Sequence, residues 1–118
     1  MNLQQKVTEF IFSHALLGFS ESDIELSSHR FSHWYINWRS VTDLYSLEQF
    51  CEYLVLFTKE LGLQPETFIG VAAGATKWGM GTQVKWARAA ANYGPGSHVL
   101  AMAREERKKH GMHHQSAF

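Results

Sequence analysis

The chain has 118 residues, 45% of them apolar, and its 11 basic and 11 acidic side chains cancel, leaving seven histidines outside that balance. This length and apolar share allow one domain with a real core, and zero formal charge excludes a global field of the kind that draws a protein to nucleic acid or an anionic membrane. A single cysteine, Cys51, excludes an internal disulfide framework. It points to a reducing compartment, and with no signal-like N-terminus and no long apolar run the expectation is a soluble cytoplasmic domain without a membrane span.

In chain order, Leu3, Val7, Phe10, Ile11 and Ala15 recur at helical spacing, which predicts an amphipathic helix ending near Leu17 with Gly18 as its stop. From Phe19 to Arg39 the composition shifts to Ser, His and aromatics. The alternation at Ile24 to Leu26 and the β-prone run Trp34 to Trp38 predict two short antiparallel strands. Ser46-Leu47-Glu48-Gln49 has the form of a capping box, and Phe50, Cys51, Leu54, Phe57 and Leu61 continue it as a helical stripe closed by Gly62. Thr67 to Val71 reads as a short buried strand. A small, glycine-rich stretch from Ala72 to Gly81 follows, then a helix through Val84, Ala87, Ala90 and Ala91, a turn at Asn92 to Ser97, and a last strand from His98 to Met102. Strand, helix and strand at this spacing predict a βαβ unit with parallel strands.

Two stretches offer chemistry. A glycine-rich turn between a strand and a helix lets an anion approach unpaired backbone N–H groups, although Ala72 to Gly81 matches neither a Walker loop nor a Gly-x-Gly-x-x-Gly fingerprint, and its glycines also suit close helix packing. Leu100 to Gly111 passes from an apolar run into Arg104-Glu105-Glu106-Arg107-Lys108-Lys109-His110, either a binding loop on a rigid scaffold or a solvated charged tail. Cys51, inside an apolar helical stripe, reads as a small core residue. His110, His113 and His114 lack a further ligand at a settled spacing, so no metal site is assigned to them. Phe31, Trp34, Tyr35 and Trp38 form either core or a platform on which a base can stack.

The order of these pieces resembles the N-terminal half of an orotate phosphoribosyltransferase, a type I phosphoribosyltransferase. The similarity runs from about Leu3 to Gly111 through Phe10 to Phe19, Leu26 to Asn37, Gly70 to Ala75 and Arg104 to Gly111. The last stretch is similar to the family's Arg-Lys-Glu-x-Lys-x-His-Gly loop, matching at Arg104, Glu106, Lys108, His110 and Gly111. Glu105 stands at that loop's first lysine, and Leu26-Ser27-Ser28-His29 stands where the family has Leu-Lys-Ser-Gly.

The resemblance implies an α/β fold: an N-terminal helix, a small antiparallel hood at about 19–45, the start of a core sheet at about 46–103, and a basic loop at about 104–118, all in one domain. It implies transfer of phosphoribosyl from phosphoribosyl pyrophosphate to orotate, with Mg²⁺ bound through the substrate, in a homodimer whose basic loop covers the neighbouring site. Arg104, Lys108, Lys109 and His110 would hold pyrophosphate, Lys108 and His110 acting in catalysis by placing positive charge where the leaving group gains negative charge. Ala73, Gly74 and Ala75 would present backbone N–H groups to it, and Trp34 and Tyr35 would lie against the base. The family's paired acidic residues and Thr/Gly-rich loop have no counterpart here, since no Asp-Asp or Thr-Gly-Thr run occurs. The chain is therefore expected to be a partial form, inactive alone. The alternatives are a non-catalytic phosphoribosyltransferase-like module that binds a nucleotide or a protein, and a plain α/β domain with a solvated tail.

Overall fold

The computed structural model describes residues 1–26 and 28–104. Its elements are helix α1 (Leu3–Ser13), strands β1 (Leu17–Glu25) and β2 (Phe31–Ile36), a 3-10 turn at Trp38–Ser40, and helices α2 (Leu44–Glu60) and α3 (Thr76–Arg88). They form two compact units, 1–42 and from Asp43 onward. The fold is a mixed one of helices and a small antiparallel two-stranded sheet.

In the first unit, α1 begins at a capping box that the sequence reading missed. The Asn2 side chain accepts from Gln5 N–H at 2.9 Å, and the Gln5 side chain accepts from Asn2 N–H at 2.9 Å, so two orphan donors are satisfied together. The helix ends at Ser13 rather than near Leu17. His14 stacks on Phe10 with ring centroids 4.0 Å apart and its Nδ1 lies 2.9 Å from Phe10 O, while Ala15 takes the left-handed conformation at φ 52°. That residue does the stopping assigned to Gly18. Gly18 has another job: a Cβ there would come within 2.6 Å of Tyr35 Cε1, so its bareness admits the Tyr35 ring across the hairpin. β1 and β2 pair antiparallel at Leu17 with Ile36, Gly18 with Tyr35 and Phe19 with Trp34, and again at Ile24 with Ser32 and Glu25 with Phe31. Between the two ladders, residues 20–23 bulge opposite His33, whose Nδ1 lies 3.2 Å from Ser20 O and Nε2 2.9 Å from Asp23 Oδ1.

In the second unit, α2 starts earlier than expected. Asp43 is the N-cap, its Oδ2 accepting from Ser46 N–H at 2.8 Å, which leaves Ser46 inside the first turn and buried. Gly62 closes the helix as predicted, at φ 71°, in the Schellman pattern: Leu63 N–H donates to Thr58 O and Gly62 N–H to Lys59 O. Phe50, Cys51 and Val55 of α2 are buried, as are Trp78, Thr82 and Ala87 of α3. Phe50 meets Trp78 edge to face with centroids 5.4 Å apart. A Cβ on Gly81 would come within 2.6 Å of Cys51 Sγ, so this glycine brings α3 close to α2 at Cys51. The α3 helix stops at Arg88, short of Ala90 and Ala91.

The segments 67–71 and 98–102, expected as parallel strands, run beside each other without a ladder, and β1 and β2 form the one sheet among the described residues. Parallel pairs persist when both faces are covered, whereas Val71, Val99, Leu100 and Met102 are exposed here. Side chains join the segments instead. Thr67 Oγ1 donates to Val99 O, and Gln83 of α3 bonds to both segments.

Candidate functional site

The residues proposed for base binding lie on the hairpin of the first unit. Trp34 and Tyr35 are consecutive on β2 and therefore point to opposite faces of a two-stranded sheet. Trp34 shares its face with Phe19, its ladder partner, and both are exposed, at 55% and 77%. Tyr35 crosses Gly18 on the other face. One planar ligand on one face meets one of these rings. Trp34, with Phe19 beside it, presents the larger uncovered aromatic area.

The loop proposed for pyrophosphate binding, Ala72 to Thr76, lies in the second unit and runs into α3, whose first residue is Thr76. Its glycine-rich surroundings serve close packing. A side chain on Gly70 would collide with Ala75 O, and one on Gly79 would collide with Gly70 N, so the chain entering the loop lies against the first turns of α3. The bonding of the loop bears on its donors: Ala75 N–H donates to Val71 O at 3.0 Å and Thr76 N–H to Ala73 O at 3.3 Å. Lys77 adds a positive charge in the first turn of α3, with Nζ 5.5 Å from the Trp78 ring centroid. The sequence reading did not single out that lysine. Arg104 is exposed, and Lys108, Lys109 and His110 lie outside the described residues.

Among the described residues, no three His, Cys, Asp or Glu side chains converge into a metal site, and no helix is long and apolar enough to cross a membrane. Cys51 is fully buried and donates its S–H to Trp78 O at 3.6 Å. Burial pushes its thiol pKa up, against a smaller lowering by Thr82, so it stays protonated at neutral pH and is no nucleophile.

Gln83 carries the tightest polar arrangement in the second unit. It is 2% exposed, accepts from Phe68 N–H at 2.9 Å, and donates to Glu66 O at 3.1 Å and Val99 O at 2.9 Å. Three of the four strong hydrogen-bonding positions of its amide, both donors among them, are directed at the chain that flanks α3. Its signal in the sequence was a polar residue at helical spacing from buried Gly79 and Ala87.

No family model matches the chain, and no curated protein sequence matches it. Among solved structures it is similar to the orotate phosphoribosyltransferase of Francisella tularensis, with a TM-score of 0.53 and 17% identity. The chain has a partial phosphoribosyltransferase-like fold. The match covers 70% of this chain and 40% of that enzyme's chain, so the 118 residues correspond to less than half of the relative's length. Within the phosphoribosyltransferase-like fold, Trp34 and Tyr35 belong to the first unit, while Ala73, Gly74, Ala75, Lys77 and Arg104 belong to the second.

Proposed function

We propose that these residues form part of a phosphoribosyltransferase that uses orotate or a related base, in pyrimidine nucleotide biosynthesis. The observation that carries this reading is the structural likeness to an orotate phosphoribosyltransferase over 70% of the chain. The similarity of Arg104 to Gly111 to that family's basic loop adds to it. In this reading, Ala73 and Gly74 present backbone N–H groups to pyrophosphate, and Lys77, Arg104, Lys108, Lys109 and His110 supply positive charge around it. Lys108 and His110 stabilise the departing pyrophosphate as its charge grows. Trp34 stacks on the base, with Tyr35 shaping the opposite face of the hood. By the same resemblance, a Mg²⁺ ion would reach the site on substrate oxygens, where it would neutralise pyrophosphate charge. The working form in this reading is a cytoplasmic homodimer in which the basic loop covers the neighbouring site.

Calorimetric titration of phosphoribosyl pyrophosphate with Mg²⁺ into the chain tests this. Saturable binding that Arg104→Ala and Lys108→Ala each weaken by about tenfold, the equivalent of one lost charge-assisted contact, is the expected result. Absence of binding would sink the reading.

A second reading, a non-catalytic phosphoribosyltransferase-like module, is favoured by one observation: the N–H groups of Ala75 and Thr76 already donate within the loop. It differs in its outcome, since such a module binds a nucleotide or a protein without releasing pyrophosphate in any assembly. Steady-state release of pyrophosphate from orotate, phosphoribosyl pyrophosphate and Mg²⁺ by the whole protein would exclude it.

A further inference from the structure

We propose that the cleft where the C-terminal turns of α2 and α3 converge is a second ligand site, and that it takes an uncharged planar heterocycle bearing N–H donors, of nucleoside size. The cleft has a volume of about 660 Å³, within the range of small-molecule sites. Lys59 of α2, Trp86 of α3 and the flanking residues Glu66, Asn92 and His98 line it. It is separate from the Ala72–Thr76 loop, which runs into the first residue of α3, whereas Trp86 lies in its last turn. The 13-residue helix puts about 20 Å between its ends. The inference is therefore independent of the phosphoribosyltransferase reading.

The walls of this cleft are fixed from beneath. Trp86 is held edge to face against Phe68, with centroids 5.6 Å apart. The buried Gln83 amide ties Glu66 O to Val99 O, joining the two sides that carry Glu66 and His98. His98 sits at φ 50°, a conformation that non-glycine residues adopt at a cost and keep only where the surroundings impose it. Those surroundings are explicit. The Ser97 hydroxyl accepts from Gly94 N–H at 2.9 Å and donates to Gly94 O at 2.8 Å, and His98 Nδ1 lies 3.0 Å from Ser97 Oγ.

The chemistry of the ligand follows from the direction of those bonds. With the Ser97 hydroxyl proton directed at Gly94 O, the hydroxyl is matched by a donor at His98 Nδ1, the tautomer that leaves Nε2 as the acceptor of the ring. Glu66 contributes a second acceptor. Two helix C-termini add partial negative charge, which disfavours an anion and favours N–H donors. Lys59 and Asn92 supply the complementary donors that a heterocyclic ring nitrogen or carbonyl accepts, and Trp86 offers an aromatic face for stacking.

Adenosine is a suitable probe, followed by nitrogen-15 NMR of the full chain with the Trp86 indole and His98 amide signals assigned. Saturable shifts of both signals are expected, with orotate, an anion of smaller size, binding there at least about tenfold more weakly. Trp86→Ala removes the binding. His98→Gly relieves the positive φ and keeps the fold, yet should weaken adenosine at least about fivefold through loss of the Nε2 acceptor. Absence of saturable shifts, shifts confined to Trp34 and Trp38, or unchanged binding by His98→Gly overturns the proposal.

Discussion

The hairpin of the first unit and the helix pair of the second stand at opposite ends of a scale of burial. In the helix pair, Gly81 admits Cys51, Trp78 meets Phe50, and Gln83 satisfies its amide against the flanking chain. In the hairpin, Phe19, Phe31 and Trp34 stay exposed although the strands around them are in register. A two-stranded sheet has little buried area to draw on, so the hairpin holds its register through ladder bonds, Gly18 beneath Tyr35 and the His33 contacts with the bulge. Burial sets stability in one region and availability for contact in the other.

Substitutions that remove buried volume should separate the two regions most sharply. Trp78→Ala should cost about 3–5 kcal/mol of stability, read by chemical denaturation, because it removes a buried aromatic ring between two helices. Gln83→Leu comes next, at about 2–3 kcal/mol, since Glu66 O and Phe68 N–H lose this partner together and Val99 O is left with Thr67 alone. Hydrogen exchange should then quicken at residues 66–68 and 98–99 while the hairpin keeps its protection. Asp43→Ala should cost about 1 kcal/mol by removing the cap on α2. Trp34→Ala, in the open hairpin, should change stability by no more than about 0.5 kcal/mol. If it costs as much as Trp78→Ala, the contrast between the two regions is wrong.

A pH measurement sharpens the same contrast. Burial raises the Cys51 thiol above its ordinary value of 9.0. The native state therefore holds that proton longer than the unfolded chain, and the stability linked to it is complete below about pH 9 and is lost as pH rises through the raised native value. Cys51→Ala should flatten the fall in stability above pH 9 relative to the parent chain. An identical slope in both proteins would separate Cys51 from the alkaline loss.

Much of this architecture was legible in the sequence, for reasons that differ by element. The second helix and its Gly62 stop and the antiparallel pairing follow from short-range signals: a 3.6-residue stripe, a left-handed glycine and β-prone aromatics. The third helix was legible in part: it takes in Thr76 to Gly81, expected as a turn, while of its expected stripe Val84 is exposed and Ala90 and Ala91 lie beyond Arg88. The misplaced boundaries arise where two signals compete. Asp43 and Ser46 are both good caps, and the better geometry belonged to the earlier one. Ala15 takes a left-handed turn that no alanine advertises, held by the His14 and Phe10 stack. The expected strands beside α3 depended on long-range pairing, which local composition does not encode, and Gln83 bridges the segments instead. For the candidate site, residue types and the opposite facing of consecutive Trp34 and Tyr35 were readable from strand alternation, whereas the pairing of Trp34 with Phe19 and of Tyr35 with Gly18 appears once the strand register is known. Lys77 went unnoticed because a lone lysine carries no pattern.

The bulge in β1 has a consequence for how this hairpin tolerates change. Ladder pairs before residue 20 and after residue 23 are set independently, one by Phe19 with Trp34 and the other by Ile24 with Ser32. Residues added or removed between Ser20 and Asp23, whose contacts with His33 are kept, alter its length and leave both ladders in step. The hairpin thus has a built-in expansion joint, a place where loops can be grafted or trimmed without turning Trp34 to the other face of the sheet.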